Sequence, residues 1–256
     1  MTDQIRLFQA SIALVFLAFS SPAIAAEKCL ITHDQLASAL KASVKPAGGP
    51  SNGGLDNNMW ASVVTRDGIV CAVAFSGAQW DDQWPGSRII SVQKASTANA
   101  FSLAKSAFST AQMFSASQPG GFLYGLNATN PASADETNAG DANQFGSNAD
   151  PMVGKRVGGI VVFGGGLALY TQSGIVGGLG VSGDTSCGDH NVAWRVRQAL
   201  GMDKVPAGPG GLKSDSIIYD IGVTGSSSSG FGHPKCAGKE DSVAKDLGAG
   251  GTSAPK

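Results

Sequence analysis

The sequence predicts an α+β protein in which an antiparallel sheet packs against helices. The first observation is the order of the segments, which reads helix, two strands, long helix, further strands, helix, so that strands are grouped and do not alternate with helices. The second is that tight glycine-containing turns join strands that follow one another in the chain, as antiparallel neighbours require. A Rossmann-type fold is disfavoured because its alternating βα units are absent.

Composition narrows the class of protein further. The 256 residues carry a formal net charge of −1, 14% of them are charged, and 36 are glycine. A nucleic-acid partner is disfavoured because the chain lacks the basic surface that such partners need. The chain is also too apolar and too varied for a disordered protein. These properties favour one glycine-rich domain with long loops.

The first helix is predicted to begin after Thr32. Gln35 stands three residues further on, which is the spacing of a capping box. Leu36, Leu40 and Val44 then fall on one helical face. Pro46 opens a glycine-containing loop and ends this helix.

Two strands and a long helix follow. Residues 60–65 and 69–75 are rich in β-branched and aromatic side chains, and the Asp67-Gly68 pair between them predicts a hairpin turn. After a loop containing two tryptophans, a helix is predicted from Gly86 through Phe101. The positions that follow helical spacing are Ile90, Thr97, Phe101, Ala104 and Phe108.

Residues 115–156 predict a long irregular insertion, because Ser, Ala, Asn, Gly and Pro dominate and large apolar side chains are few. Loops of this length are usually functional or mobile. The segment is expected to fold over the surface or to pack against a neighbouring subunit.

The second half of the chain predicts strands at 159–163, 167–171 and 175–181, joined by glycine turns. A helix at 186–200 follows, with Asp184 or Thr185 as its cap and Gly201 as its end signal. An edge strand is predicted at 216–219. Residues 236–256 are expected to form a flexible tail.

The N-terminus predicts a secretory signal peptide over residues 1–25. Arg6 supplies a positive start, residues 7–19 are mostly apolar, and Ala23-Ile24-Ala25 has the small residues of a cleavage site. The apolar stretch is shorter than the roughly 20 residues that a spanning helix needs. We therefore expect a single domain at 26–235 in a periplasmic or secreted protein, with no membrane span after signal removal.

The four cysteines form no C-x-x-C pair, which disfavours a zinc knuckle or a thioredoxin-type site. An even count in an oxidising compartment favours disulfides, although four free thiols remain an alternative. Of the three possible connectivities we favour Cys187–Cys236, which ties the tail to the start of the last helix. Cys29–Cys71 then follows by elimination.

Two further motifs, together with the hairpin, resemble the GlcG/HbpS family. One is the helix S-x-x-K-A-x-T-A-x-x-F, matched by Ser91, Lys94, Ala95, Thr97, Ala98 and Phe101. The other is GGI…G…GG-x-GVSG before a helix, matched by Gly158, Gly159, Ile160, Gly177, Gly180, Val181, Ser182 and Gly183. The resemblance spans roughly residues 30–201, with the insertion and the cysteine-bearing tail as departures. It implies a profilin-like three-layer sandwich, assembly into homo-oligomers, and haem or a related tetrapyrrole as ligand.

Five residues are candidates for contact with haem. His190 falls in the first turn of the last helix and is the candidate iron ligand, since iron in haem accepts imidazole. Trp194 and Arg197 share its helical flank and offer a stacking ring and a partner for a propionate. Lys94 and Arg88 are further candidate anion partners. The alternatives are a structural His190 bonded to Asp184 or Asp189, and a Lys94 whose ammonium reaches water.

Other chemistries have less support in the sequence. His33 and His233 are weaker ligand candidates. The glycine runs 164–166 and 177–180 lack the Lys-Ser/Thr of a phosphate loop, so we interpret them as turns or close backbone approaches. A Ser-His-Asp hydrolase has no G-x-S-x-G elbow here.

We therefore expect an exported haem-binding protein for storage, sensing or scavenging, without favouring turnover. The alternative is an oligomeric periplasmic scaffold that partners a redox enzyme through residues 115–156.

Overall fold

The described residues contain seven α-helices and six β-strands. A computed structural model describes residues 28–45 and 52–251, so the predicted signal peptide lies outside the described residues. The helices are α1 (His33–Val44), α2 (Gly86–Phe101), α3 (Met113–Ala116), α4 (Leu126–Thr129), α5 (Ala134–Thr137), α6 (Ser186–Ala199) and α7 (Glu240–Leu247). The strands are β1 (Trp60–Thr65), β2 (Val70–Phe75), β3 (Gly166–Thr171), β4 (Gly174–Ser182), β5 (Ile217–Ile218) and β6 (Gly250–Gly251).

The main sheet has the order β2-β1-β4-β3, and every neighbouring pair in it is antiparallel. Trp60 stands opposite Phe75 on β2 and opposite Ser182 on β4, so β1 is a central strand. Gly68 closes the β1–β2 turn with a φ of +86°, a conformation that glycine adopts at little cost. The predicted α+β class and hairpin are thereby confirmed.

The sheet is the middle of three layers. Ala61 and Val63 pack with α1 and α6, whereas Trp60 and Val64 on the same strand pack with α2. Successive strand residues point to opposite faces, so β1 is apolar throughout because both of its faces are covered. This is the three-layer sandwich that the family resemblance implied.

The predicted helix ends are mostly confirmed. Thr32 and Gln35 form the capping box of α1, and Thr185 caps α6 by accepting from the Gly188 amide. The helical spacing that continued to Ala104 and Phe108 was misleading, because α2 ends at Phe101. At this end of the helix the Arg66 guanidinium donates to the Asn99 and Ser102 carbonyls.

The strand predicted at 159–163 is absent. The amides of this segment bond to a loop and a side chain instead of to a strand: the Ile160 amide donates to the Asn130 carbonyl at 3.2 Å, and the Val161 amide donates to Thr97 Oγ1 at 3.0 Å. A β-branched run predicts an extended backbone without specifying a strand as its partner.

The insertion folds over the molecule's own surface. It contains α4 and α5, each four residues long, and part of α3. The Gly154 amide donates to the Val70 carbonyl at 2.9 Å, and the Val70 amide donates to the Lys155 carbonyl at 2.9 Å. The insertion therefore covers the β2 edge of the sheet, while Met152 enters the core beneath α2.

The chain after α6 is ordered well beyond the point we expected. The residues predicted as an edge strand pair with β6 in a separate two-stranded parallel sheet instead of extending the main one. The expected tail contains α7 and β6, and residues 252–256 lie outside the described part. Cys187 pairs with Cys236, and Cys29 pairs with Cys71, in the connectivity that the sequence favoured.

Candidate functional site

His190 lies in the interior at the start of α6. Its side chain has no exposed surface, and neither ring nitrogen has a hydrogen-bond partner. The structure thus shows no bond to Asp184 or Asp189. Burial holds the pKa of this imidazole well below its usual range, and the nearby charges of Arg197, His233 and Lys94 act in the same direction. The ring is therefore neutral near pH 7, with a lone pair available.

Trp194 and Arg197 share the flank of α6 with His190, as their spacing predicted. The ring centroids of His190 and Trp194 are 6.2 Å apart, and the Arg197 guanidinium lies 4.6 Å from the Trp194 ring. The guanidinium forms a two-pronged pair with Asp215, at 2.5 and 2.9 Å. Arg197 is 1% exposed and Asp215 is 0% exposed, so this cation already has an internal counter-ion.

Lys94 is fully buried between α2 and α6. Its Nζ donates to Asp189 Oδ2 at 2.6 Å and to the Val181 carbonyl at 3.0 Å. The alternative in which its ammonium reaches water is therefore wrong. Burial lowers the pKa of Lys94 and raises that of Asp189 to about 6, although each partner opposes the shift of the other.

Arg88 anchors the insertion. Its guanidinium bonds to both oxygens of Asp150, at 2.8 and 2.5 Å, and lies 3.7 Å from the centroid of the Phe145 ring. Both members of the ion pair are buried. The three cations selected from the sequence are thus distributed over three separate ion pairs and do not converge on one pocket.

The other two histidines each contact a segment distant in the chain. His33 is partly covered, because its Nε2 lies 2.9 Å from the Gly146 carbonyl of the insertion. His233 is 1% exposed, and its Nε2 accepts from the Gly164 amide at 3.3 Å. Burial lowers the pKa of His233 to about 4. The position of His233 in a loop gave no sign that its side chain is buried.

The glycine runs serve close packing, as their interpretation predicted. A Cβ added to Gly178 or Gly180 would overlap backbone carbonyls of α2. Gly165 lies against the Lys94–Asp189 pair, with Lys94 Nζ only 2.8 Å from where its Cβ would be. Neither run is arranged as a phosphate loop, because both pack against protein atoms.

Comparison with known proteins identifies the fold family. The model of the family described as haem degrading protein HbpS-like matches residues 33–197. A crystal structure of a PduOC:haem complex is 23% identical, with a TM-score of 0.44, and the match covers 68% of this chain and 95% of that one. The Klebsiella pneumoniae protein ORFY is 25% identical, with a TM-score of 0.45 and coverages of 71% and 98%. A crystal structure of HbpS is 16% identical, with a TM-score of 0.40 and coverages of 69% and 94%.

No curated protein matches this chain. The family model nevertheless covers more than half of the chain and includes every strand of the main sheet, together with α1, α2 and most of α6. The chain therefore belongs to the HbpS-like family.

Proposed function

We propose that this protein binds haem or a related tetrapyrrole and that it serves storage, sensing or scavenging outside the cytoplasm. The observation that carries the proposal is a buried His190 with two unpartnered nitrogens, within a chain of the HbpS-like, haem-degrading family. A buried polar group without a partner is costly, so a bound group that accepts the imidazole lone pair would explain its retention.

His190 and Trp194 fit this ligand best. A neutral imidazole is a usual axial ligand of haem iron, and the Trp194 ring stands beside it on the same flank. Haem, when bound, supplies an iron centre, a flat apolar ring and two carboxylates. The part played by the protein is to hold these features and to exclude water from them. Because His190 has no exposed surface, we expect slow uptake that requires movement of the covering segments.

Arg197, Lys94 and Arg88 are proposed as partners of the carboxylates, with less support from the geometry. Each already pairs with a buried aspartate. A propionate would have to displace that aspartate, and breaking a buried ion pair without replacement is costly. Arg197 stands first among the three because it shares the flank of His190.

Export and self-association belong to the same proposal. Two disulfides among the described residues support an oxidising compartment. Among those residues no helix is both long and apolar enough to cross a membrane. Assembly into homo-oligomers is proposed from the family resemblance.

The test is a haem titration of the mature protein followed in the visible spectrum. We expect a saturable Soret shift in the wild type and in the control His33→Ala, and its loss in His190→Ala. A wild-type spectrum without a Soret shift would refute haem binding. A Soret shift that survives in His190→Ala would mean that a residue other than His190 binds the iron.

A second candidate function is a scaffold that binds a periplasmic redox enzyme through the insertion. The specific observation is that Phe122 and Tyr124 of this segment are 69% and 67% exposed. Exposed aromatic pairs are typical of protein interfaces. If this candidate is right, Tyr124→Ser removes the partner recovered by the wild type in affinity capture, and leaves the melting temperature unchanged.

A further inference from the structure

Two histidines and two cysteines lie where the C-terminal segment covers the start of α6. They occur as Cys187-Gly-Asp-His190 and His233-Pro-Lys-Cys236, which is C-x-x-H followed by H-x-x-C. Residues three apart on a helix share a face, so Cys187 and His190 both belong to one side of α6. In structural zinc sites the four ligands typically come as two pairs, and the members of each pair are close together in the sequence.

Contacts join the two pairs. Cys187 and Cys236 form a disulfide, and Cys187 Sγ lies 3.8 Å from His233 Nδ1. Gly164 lies beside both histidines: its amide donates to His233 Nε2, and a Cβ on it would lie 3.2 Å from the Cβ of His190. Cys187, His190 and His233 are each no more than 1% exposed.

The state of the His190 ring also points to a ligand. Both of its nitrogens are buried and unpartnered, whereas most buried side-chain polar atoms have a hydrogen-bond partner. In the disulfide form, the described residues contain no group of three or more His, Cys, Asp or Glu side chains arranged to hold a metal ion. The disulfide consumes two of the sulfur atoms that would complete such a group.

We propose that reduction of the Cys187–Cys236 disulfide creates a four-ligand site for Zn²⁺, formed by Cys187, His190, His233 and Cys236. A dithiol reductant supplies two electrons and two protons, is itself oxidised to a disulfide, and leaves two protein thiols. Binding of the cation then releases both thiol protons, while the two imidazoles bind in the neutral form. The zinc ion itself undergoes no redox change.

One distance within the cluster suits this assignment. Sulfur and nitrogen ligands at about 2.3 and 2.0 Å from a tetrahedral zinc ion lie about 3.5 Å from each other, and the present distance between Cys187 Sγ and His233 Nδ1 is 3.8 Å. Binding through Nδ1 moves the proton of the neutral imidazole to Nε2, so it gives up both the 2.7 Å contact with the Pro234 carbonyl and the 3.3 Å bond from the Gly164 amide. The disulfide form and the metal-bound form are therefore alternative states of one cluster.

This site goes beyond the proposed haem function and does not depend on it. The haem titration uses the oxidised protein, whereas metal binding belongs to the reduced protein. Failure of the haem titration therefore leaves the metal result intact, and the reverse also holds.

The test is titration of the full chain, reduced with a phosphine in the absence of oxygen, with Co²⁺ as the spectroscopic probe. We expect thiolate-to-cobalt charge-transfer bands and intense tetrahedral d–d bands that saturate at one equivalent and disappear when Zn²⁺ is added. The oxidised protein should show none. His190→Ala and His233→Ala should each weaken Co²⁺ binding more than about tenfold, and the matched control His33→Ala should not.

The second disulfide provides a further control. The double substitution Cys29→Ser and Cys71→Ser should keep the bands, and Cys187→Ser with Cys236→Ser should abolish them. Absence of bands in the reduced wild type would overturn the proposal. Bands that are unaffected by both histidine substitutions would overturn it as well.

A measurement on the wild type alone guards against misfolded variants. Zn²⁺ should protect Cys187 and Cys236 of the reduced protein from an alkylating reagent and leave Cys29 and Cys71 reactive, as read by peptide mass spectrometry. Equal alkylation of all four cysteines with and without Zn²⁺ would contradict a site at this cluster.

Discussion

At the scale of single residues, the cations that the sequence selected as ligand contacts are held by aspartates in the interior. Lys94 pairs with Asp189 across 95 residues, and Arg88 pairs with Asp150 across 62. A buried cation needs a buried counter-ion, but spacing along the chain carries no information on partners so far apart. The sequence therefore showed that these cations are unusual on their helices, but it did not show which aspartates they pair with.

The buried histidines predict how stability depends on pH. Burial lowers the pKa of His233 to about 4, so between pH 6.5 and 4 the unfolded chain binds a proton that the folded chain does not. The contribution of His233 to the free energy of unfolding is therefore complete above pH 6.5. It falls by on the order of 3 kcal/mol as the pH decreases from 6.5 to 4. His233→Asn should accordingly lose less stability than the wild type over this range, as measured by urea unfolding.

The quantity to compare is the difference in unfolding free energy between the variant and the wild type at each pH. A difference is needed because Asp189 changes the stability of both proteins with pH in the opposite direction. Its raised pKa, about 6, makes stability fall as pH rises from 4 to 6, and it is present in both proteins. Between pH 7 and 8 the two proteins should show parallel profiles. Equal slopes below pH 6.5 would mean that His233 is not buried in the neutral form.

At the scale of elements, the packing of α2 on β4 explains the glycine content of that strand. The Gly178 and Gly180 positions face α2 so closely that a side chain would overlap the carbonyls of Ala95 and Ser91. Their neighbours Leu179 and Val181 point to the other face and fill the core beneath α1 and α6. Glycine therefore alternates with large apolar residues along β4 because α2 packs very close to one face of the strand. On the other face, the layer of α1 and α6 leaves room for large side chains.

Gly180→Ala should test this packing. The added methyl group forces α2 away from the sheet, and overpacking of this kind costs about 1–3 kcal/mol or more. The free energy of unfolding in urea should fall by that amount. Gly86→Ala is the matched control, because a Cβ there meets no atom within 4 Å, and it should leave stability nearly unchanged. Similar effects of the two substitutions would argue against the close approach.

At the scale of the whole molecule, the segments outside the regular sandwich cover the edges of the sheet and the flank of α6. The insertion bonds to β2, and the Tyr170 amide of β3 donates to the Met202 carbonyl beyond α6 at 3.0 Å. The Arg88–Asp150 and Arg197–Asp215 pairs link these segments to the core helices. Unpaired edge strands invite association with other chains, so these covers limit association through the sheet.

Asp150→Asn should loosen the insertion while leaving the sandwich intact. It removes one partner of a buried ion pair, which typically costs about 3–5 kcal/mol. We expect faster proteolysis and faster hydrogen exchange across residues 115–156, measured by mass spectrometry. Asp135→Asn, at an exposed position of the same segment, is the control and should behave as the wild type. Unchanged exchange in Asp150→Asn would show that Arg88 does not anchor the segment.

The sequence by itself determined the elements of the sandwich: the capping box of α1, the Asp67-Gly68 hairpin, the glycine-rich strand before α6, and the family. These are local patterns, in which neighbouring residues specify backbone geometry and the buried face. Only the tertiary structure decided that 159–163 is not a strand, that the expected tail forms α7 and β6, and that His233 lies beside Cys187. Hydrogen-bond partners, counter-ions and burial depend on contacts between residues distant in the chain, which local periodicity does not encode.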